Sequence, residues 1–119
     1  MSSRTEPYDP SKKAFKLNAA DFRPLATGRG ACYAADTILI EGLRVGHMYR
    51  EQPDFENDTG WRFFSGTETQ DYCDDPKKFA IYDLNTVANY DPAIVPYLDE
   101  PVGTKLDRIE GTDTFRHLT

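Results

Sequence analysis

Acidic side chains at alternate positions are the first feature of this sequence that could support chemistry. Asp54, Glu56 and Asp58 are spaced like the first ligands of a calcium-binding loop. An EF-hand loop that begins at Asp54 needs glycine at its sixth position and glutamate at its twelfth. The sequence has Thr59 and Ser65 there. We therefore interpret the segment as a solvated acidic loop and predict no metal site.

Side chains with nucleophilic chemistry are also present, but their surroundings do not favour catalysis. Cys32 and His47 are the residue types of a thiolate–imidazole pair. Cys32 lies in an apolar stretch, however, where cysteine is usually a small core residue. Ser65 lacks the G-x-S-x-G pattern of a nucleophile elbow. We predict no catalytic residue and no cofactor, and hence a protein that is not an enzyme.

A third group is rich in Asp, Asn and Tyr and consists of Asp83, Asn85, Asn89 and Tyr90. One interpretation is helix capping, in which Asp83 or Asn85 caps one helix and Asp91 caps the next. The alternative is that the four side chains line the polar pocket of a small ligand-binding or enzymatic domain. Capping is the interpretation that we favour.

Negative charge is concentrated in one segment of the chain. The whole sequence has 14 Lys and Arg, 20 Asp and Glu, and a net charge of −6. Residues 51–75 contain eight acids and one base, which is a net charge of −7, whereas residues 1–30 carry +3. An acidic balance argues against nucleic acid as a partner, and a localised acidic field favours a basic protein partner. The predicted contact residues are Asp54, Glu56, Asp58, Asp71, Tyr72, Asp74 and Asp75.

The elements that must position these side chains are mainly strands. Apolar and β-branched patterns predict strands at 31–35, 45–50, 61–65 and 79–83, and a hairpin formed by 103–109 and 114–118. In the third strand, Trp61 and Phe63 would share one face, and Arg62 and Phe64 the other. This alternation predicts that Trp61 is a core residue. The stretch from Thr37 to Ile40 is also apolar and β-branched, which favours extended structure.

Short helices are predicted mostly after the strands. They comprise a helical turn at 68–75 with Thr67 as its cap, a helix at 84–90, and a further short helix that begins at Asp91-Pro92. Strands first and short helices later predict a single α+β domain with a mainly antiparallel β-sheet and short helices in the C-terminal half. We divide the chain into an N-terminal arm, residues 1–30, partly loose, and an α+β domain, residues 31–119.

Composition restricts where such a protein works. No run approaches the roughly 18 apolar residues of a membrane span, and the N-terminus has no apolar region typical of a signal peptide. Two cysteines, Cys32 and Cys73, do not make a disulfide framework. We therefore expect a cytoplasmic protein with free thiols and no membrane contact.

Four stretches of this sequence resemble a known bacterial family. They are VGHMYRE at 45–51, NDTGWRFFSG at 57–66, IYDLNTVANYDP at 81–92 and PYL at 96–98. The likeness runs from about Ala31 to Arg108, and the family is immunity protein family thirty-three of bacterial polymorphic toxin systems, formerly a domain of unknown function. The resemblance implies a small cytoplasmic protein that binds and neutralises a cognate toxin or effector. It supplies no catalytic residues.

The charge pattern and the resemblance together lead to one main hypothesis. The acidic surface on either side of Trp61 would meet a basic surface of the toxin. The alternatives are the polar-cluster ligand-binding or enzymatic domain and a regulatory scaffold without a toxin partner. The toxin's identity, the oligomeric state and the role of residues 1–30 stay open at this point, including whether the positive arm folds back on the acidic segment.

Overall fold

The computed structural model describes residues 15–118. Residues 1–14 of the predicted N-terminal arm lie outside the described residues, so the suggested contact between them and the acidic segment stays a prediction. Residues 15–30 are held against the rest of the chain by hydrogen bonds, for example from the Lys16 N–H to the Leu39 carbonyl oxygen at 2.9 Å. A 3-10 turn at Ala19–Asp21 is the short helix of this segment. The division of the chain at residue 30 stays a prediction.

Six strands form one mixed sheet in the order β4-β1-β3-β2-β5-β6. Their bounds are β1 Ala31–Ala35, β2 His47–Arg50, β3 Asp58–Phe64, β4 Phe79–Asp83, β5 Lys105–Arg108 and β6 Phe115–His117. Strands β1 and β3 are parallel, and the other four neighbouring pairs are antiparallel. The predicted α+β class with a mainly antiparallel sheet is confirmed, and so is the closing hairpin of β5 and β6.

The helices are short, as predicted, and two of their caps match the sequence pattern. They are α1 Asp36–Leu39, α2 Gln70–Cys73 and α3 Leu84–Tyr90, with 3-10 turns at Pro76–Lys78 and Pro92–Tyr97. Asp83 caps α3 by accepting from the Asn85 N–H, and Asp91 caps the Pro92–Tyr97 turn by accepting from the Ala93 N–H. Helix α2 is capped by Thr69, so the prediction of Thr67 was wrong by two residues. The Thr67 hydroxyl instead lies 2.7 Å from that of Ser65.

The extended structure predicted for the stretch from Thr37 to Ile40 was wrong. Residues 36–39, where β-branched side chains favour extended structure, form helix α1. The helical turn directs three consecutive side chains, Thr37, Ile38 and Leu39, into the interior, whereas a strand would turn alternate ones away. Gly42, with a φ of +79°, follows the helix and supplies the left-handed conformation that commonly ends one. Tertiary burial therefore overrides the local preference.

One face of the sheet carries the core, and we call it the covered face. Helices α1 and α3 and the Pro92–Tyr97 turn contribute Ile38, Leu84, Val87 and Ile94 to the cluster of buried side chains that contains Trp61 and Phe63. Both of these rings are completely buried, which confirms that Trp61 is a core residue. The indole N–H donates to the Leu98 carbonyl oxygen at 3.2 Å, so the one polar group of Trp61 is satisfied.

Candidate partner-binding face

The opposite face of the sheet lies away from α1 and α3, and we call it the open face. Cross-strand pairs have side chains on the same side, so the register assigns its members. They include Phe79 and Ile81 of β4, Tyr33 of β1, Arg62 and Phe64 of β3, His47 and Tyr49 of β2, Lys105 and Asp107 of β5 and Arg116 of β6. The alternation predicted for β3 is confirmed.

Aromatic rings occupy the middle of the open face. Phe64 stacks on Tyr49 with ring centroids 5.9 Å apart and an angle of 13° between the planes. It also meets His47 at 5.9 Å and the edge of Phe79 at 5.5 Å. All four rings are only partly buried. Clustered, partly exposed aromatic side chains are typical of the centres of protein–protein interfaces.

Two depressions divide the open face. The larger, of about 590 Å³, is lined by His47, Phe64, Asp107 and Arg116 among others. The smaller, of about 340 Å³, is lined by Tyr33, Tyr49, Glu51, Arg62, Phe63, Phe64, Cys73 and Phe79. Cys73 at the end of α2 borders both depressions, as Tyr49 and Phe64 do.

Arg62 ties the first acidic segment, residues 51–58, to the open face. Its guanidinium donates to both oxygens of Asp58, at 3.0 and 2.8 Å, and to Oε2 of Glu51, at 2.6 Å. Asp54 Oδ2 lies 3.7 Å from Nη2 of Arg62, and the guanidinium carbon lies 4.5 Å from the centre of the Tyr33 ring. One buried cation therefore organises three carboxylates and one ring.

Burial and hydrogen bonding shift the pKa values of Asp58 and Arg62 in opposite directions. Burial alone raises the pKa of Asp58, but hydrogen bonds from Arg62 and from the backbone N–H groups of Asp54 and Gly60 outweigh it and lower the pKa to about 2. Burial lowers the pKa of Arg62, and the hydrogen bonds to Asp58 and Glu51 raise it by more. Both groups are therefore charged at neutral pH.

A glycine lets the first acidic segment lie close to β3. Gly60 has a φ of +90°, and a Cβ at this position would lie 2.1 Å from the carbonyl oxygen of Glu51. Any other residue would clash with the backbone there and would be strained at that φ. The return of the chain from β2 to β3 past Glu51 thus depends on Gly60.

The predicted contact residues of the first acidic segment fall into two groups. Asp54 and Glu56 are exposed, as a contact surface requires. Asp58 is different, because its carboxylate has no solvent exposure and is held by Arg62 four residues later. The interpretation of Asp58 as part of a solvated loop was therefore wrong. The physical reason is that Arg62, buried between β1 and β2, needs a compensating charge beside it.

The second acidic segment, residues 68–75, borders the open face at the other end of β3. Asp71 and Asp74 are exposed, and Asp75 is half-buried and accepts from the Lys77 N–H at 3.0 Å. Tyr72 packs its ring edge-on against Phe79 at 5.8 Å. Its hydroxyl accepts from the Thr37 N–H at 3.0 Å, which fixes α2 to the start of α1. Burial and then the charge of Asp36 raise the pKa of Tyr72 to about 12.

Glu68 anchors the start of the second acidic segment, and sequence reasoning did not single it out. Its carboxylate accepts from the N–H groups of Ser65 and Gly66 at 2.8 and 2.9 Å. It also accepts from the hydroxyls of Ser65 and Thr37. Burial raises the pKa of Glu68, but these hydrogen bonds outweigh it and lower the pKa below its usual value. Glu68 therefore holds the loop rather than a partner.

The rings of the open face were also missed as candidate site residues. The available signal was the alternation in β2, where His47 and Tyr49 lie opposite to the buried Met48. The His47 ring also makes a polar contact that sequence reasoning missed. Its Nδ1 lies 2.7 Å from Oδ1 of Asp107 and joins β2 to β5. Sequence separation hides this pair, because the two residues are 60 positions apart.

The alternative site, Asp83 with Asn85, Asn89 and Tyr90, holds backbone rather than a pocket. Asp83 caps α3. Asn85 Oδ1 accepts from the N–H groups of residues 25 and 26, both at 2.8 Å. Asn89 accepts from the N–H of Arg23 and donates to its carbonyl oxygen, and the Tyr90 hydroxyl accepts from the N–H of residue 17. All four side chains are therefore engaged in structural hydrogen bonds, and this removes the basis for a ligand site.

The sheet separates Cys32 from His47, and the interpretation of Cys32 as a small core residue is confirmed. Cys32 is completely buried on the covered face, and its thiol donates to the Tyr82 carbonyl oxygen at 3.5 Å. Burial raises the pKa of this thiol far above its usual value. His47 lies on the open face. Neither cysteine forms a disulfide.

Two further findings concern residues 15–118. Within that range, no group of three or more His, Cys, Asp and Glu side chains is arranged to hold a metal ion. None of the helices in the same range has both the length and the apolar character that crossing a membrane requires.

Comparison with known proteins identifies one family. The family model described as the Immunity protein Imm33 domain matches residues 32–119. Neither the curated proteins nor the solved structures contain a match to this chain. The matched region includes the open face and both acidic segments, and it leaves the segment of residues 15–30 outside.

Proposed function

This chain belongs to the Imm33 family of immunity proteins, and on that premise we propose that it binds and neutralises a cognate toxin or effector in the bacterial cytoplasm. The proposed mechanism is non-enzymatic. The protein acts by occupying a surface of the toxin, and its own side chains carry out no chemical step. Family membership supports the general role, and the surface described above supplies the physical basis for the mode of binding.

The observation that carries this proposal is the position of the two acidic segments. One lies at each end of β3, and both border the aromatic open face. Four acids there are exposed to solvent, and they are Asp54, Glu56, Asp71 and Asp74. An apolar centre with a charged rim is the usual composition of a specific interface. The rings would contribute most of the binding free energy, and the acids would select a basic partner.

The proposed partner surface is basic. A toxin that acts on nucleic acid needs positive charge around its active site, and an acidic inhibitor can occupy that surface in place of the phosphate backbone. The contact residues we propose are Asp54, Glu56, Asp71, Tyr72, Asp74 and Asp75. Asp58 acts indirectly, because it holds Arg62 and so keeps Glu51 and Asp54 at the rim.

A growth assay tests this proposal. The chain is co-expressed with a candidate toxin from the same genome, and survival is compared between variants. The double charge reversal Glu56→Lys/Asp71→Lys takes one exposed acid from each acidic segment. We expect it to abolish protection, because each substitution places a positive charge opposite a basic surface.

The matched control is the double reversal Asp21→Lys/Glu110→Lys. Both residues are exposed and lie outside the acidic segments, and the change in net charge is identical. We expect this variant to protect like the natural sequence. Protection by Glu56→Lys/Asp71→Lys that equals protection by the control would exclude the acidic segments as the contact surface. A natural sequence that gives no protection at all would exclude the immunity function for that toxin.

The association rate provides an independent measurement. If the acidic segments steer the toxin, the association rate constant falls steeply as salt is raised from low to physiological concentration, because exposed charges are screened beyond about 8–10 Å there. The dissociation rate constant should change much less. An association rate that does not depend on salt would remove the electrostatic part of the proposal.

A further inference from the structure

The smaller depression of the open face has the composition of a site for a cation. Partly buried rings of Tyr33, Tyr49, Phe64 and Phe79 form its walls. Aromatic faces carry partial negative charge and attract Arg and Lys side chains. A carboxylate, Glu51, also lines the depression. Rings and a carboxylate on one wall are the two kinds of group that bind a guanidinium from its face and from its edge.

Among residues 15–118, one group of charged side chains on the open face has more carboxylates than cations. Three carboxylates, of Glu51, Asp54 and Asp58, surround the single guanidinium of Arg62. Their sum leaves an excess of two negative charges. Asp58 is enclosed, but the side chains of Glu51 and Asp54 remain 46% and 63% exposed. The excess charge therefore faces the solvent at the rim of the depression.

The chain already contains an example of the interaction that this depression offers. The guanidinium of Arg62 lies over the ring of Tyr33 and donates its Nε–H to Glu51. A second guanidinium that enters from outside would find the same two kinds of partner, with Tyr49 and Phe64 as the rings. Its positive charge would reduce the excess of negative charge, whereas an anion would increase it and an apolar group would leave the carboxylates without a counter-charge.

From this geometry we infer that the smaller depression is a socket for one arginine side chain of the toxin. The inference rests on the proposed function, since it names the group on the toxin that the open face recognises. Arg62 holds Glu51 in place before binding, so little conformational freedom is lost there when the partner arrives. The arginine anchor would bind at the centre of the interface, and the exposed acids would surround it.

The socket can be tested without the toxin. The probe is a hexa-arginine peptide, compared with a hexa-citrulline peptide that has the same length but no charge. Binding to the full chain is followed by amide chemical shifts. We expect hexa-arginine to shift the amides of Tyr33, Glu51 and Phe64 and to leave those of α3 unchanged, and we expect hexa-citrulline to have no effect at the same concentration.

Two matched variants show whether the socket is responsible. Glu51→Gln and Glu110→Gln each remove one exposed negative charge, and the glutamine in the first retains an oxygen that accepts from Arg62. We expect Glu51→Gln to weaken hexa-arginine binding about fivefold or more and Glu110→Gln to weaken it less than twofold. A further variant, Tyr49→Leu, keeps an apolar side chain but removes the ring, and we expect a similar loss.

Two outcomes would overturn the socket. One is equal weakening by Glu51→Gln and Glu110→Gln, which would mean that the peptide responds only to net charge. The other is chemical-shift changes located away from the open face. Either result leaves the immunity function to be judged by the growth assay, in which the natural sequence and Glu56→Lys/Asp71→Lys are compared. The failure of the socket and the failure of the proposed function are thus separate observations.

Discussion

The covered and open faces of the sheet are built from neighbouring residues of the same strands, yet they have different physical roles. On the covered face of β3, Trp61 and Phe63 are completely buried. On the open face, the adjacent Phe64 is only partly buried and is surrounded by other partly exposed rings. Side chains that are already buried cannot gain from binding a partner, whereas partly exposed rings can still lose solvent contact. Alternation along the strand therefore separates folding from recognition.

Asp58 and Arg62 are the exception in this comparison. They belong to the open face by register, but their side chains are almost completely buried. The two side chains are buried like those of the covered face, although they lie on the open face. It connects the two roles, because the same guanidinium that satisfies Asp58 also holds Glu51 at the rim. The Asp58 carboxylate therefore supports the binding surface from inside and is not itself exposed on it.

The strongest test of the comparison removes one large ring from the covered face. We expect Trp61→Ala to lower the free energy of unfolding by about 3–5 kcal/mol, because a large cavity remains and the lost contacts are not replaced. Phe64→Ala removes a ring from the open face, three residues away in sequence. It should lower the free energy of unfolding clearly less. Urea denaturation measures both values. Equal losses would mean that the open face contributes to folding as much as the covered face does.

The next test removes the buried carboxylate of the open face. We expect Asp58→Ala to lower the free energy of unfolding by about 3 kcal/mol, since Arg62 then stays buried without its closest counter-charge. Glu56→Ala, an exposed acid two residues earlier, is the control and should change stability by less than about 0.5 kcal/mol. Urea denaturation again supplies the measurement. A cost for Asp58→Ala that is as small as the control would show that Arg62 does not need this partner.

The loss of stability at acidic pH provides a further test of the Asp58–Arg62 pair. The folded-state pKa of Asp58 is about 2, below its ordinary value of 3.8, so the folded state favours the ionised carboxylate. The resulting stabilisation is complete above about pH 4 and is lost as the pH falls through about 2. Between these values, the natural sequence should lose more stability than Asp58→Asn, which has no proton to gain there. Parallel stability curves for the two proteins would contradict this assignment.

A smaller effect is expected where residues 15–26 meet the helices behind the covered face. Asn89 accepts from the backbone N–H of Arg23 and donates to the carbonyl oxygen of the same residue. We expect Asn89→Ala to cost about 1–2 kcal/mol, because these two hydrogen bonds and a third to the Asn85 carbonyl oxygen are lost at a partly exposed position. Hydrogen exchange should show the Arg23 amide losing protection while the amides of β3 keep theirs. Unchanged exchange at Arg23 would argue against this attachment.

The smallest expected effect on stability concerns the two thiols, one from each side of the sheet. Cys73 is exposed beside the open face, and Cys32 is buried on the covered face, where burial raises its pKa. A thiol reagent should therefore modify one cysteine in the folded protein and the second only after unfolding. Cys73→Ser should change the free energy of unfolding by less than about 0.5 kcal/mol. Modification of both thiols at one rate would show that the covered face opens readily.

Much of the architecture follows from local sequence patterns. Period-two alternation identifies the strands, and the Asp83 and Asp91 caps locate the starts of α3 and the following turn. Helix α1 could not be predicted in this way, because the β-branched residues from Thr37 onward favour a strand locally. Its conformation results from the burial of three consecutive side chains, and burial is decided by elements distant in sequence.

The candidate site was predictable only in part. Charge counting locates the two acidic segments, and the structure has Asp54, Glu56, Asp71 and Asp74 exposed within them. Charge counting does not distinguish the buried Asp58 from these exposed neighbours, since all are acids in a polar stretch. The aromatic centre was missed because its rings come from three different strands, β2, β3 and β4. Only the pairing of those strands brings Tyr49, Phe64 and Phe79 together.

The sequence by itself determined the composition of each strand face, the excess of acid in one segment and the family to which residues 32–119 belong. These properties depend on residue identity and on the fixed alternation of side chains along a strand. The tertiary structure decided which face α3 covers, which acid the Arg62 side chain neutralises and which rings stay accessible to a partner. Those outcomes depend on contacts between residues far apart in the chain, and no local pattern contains them.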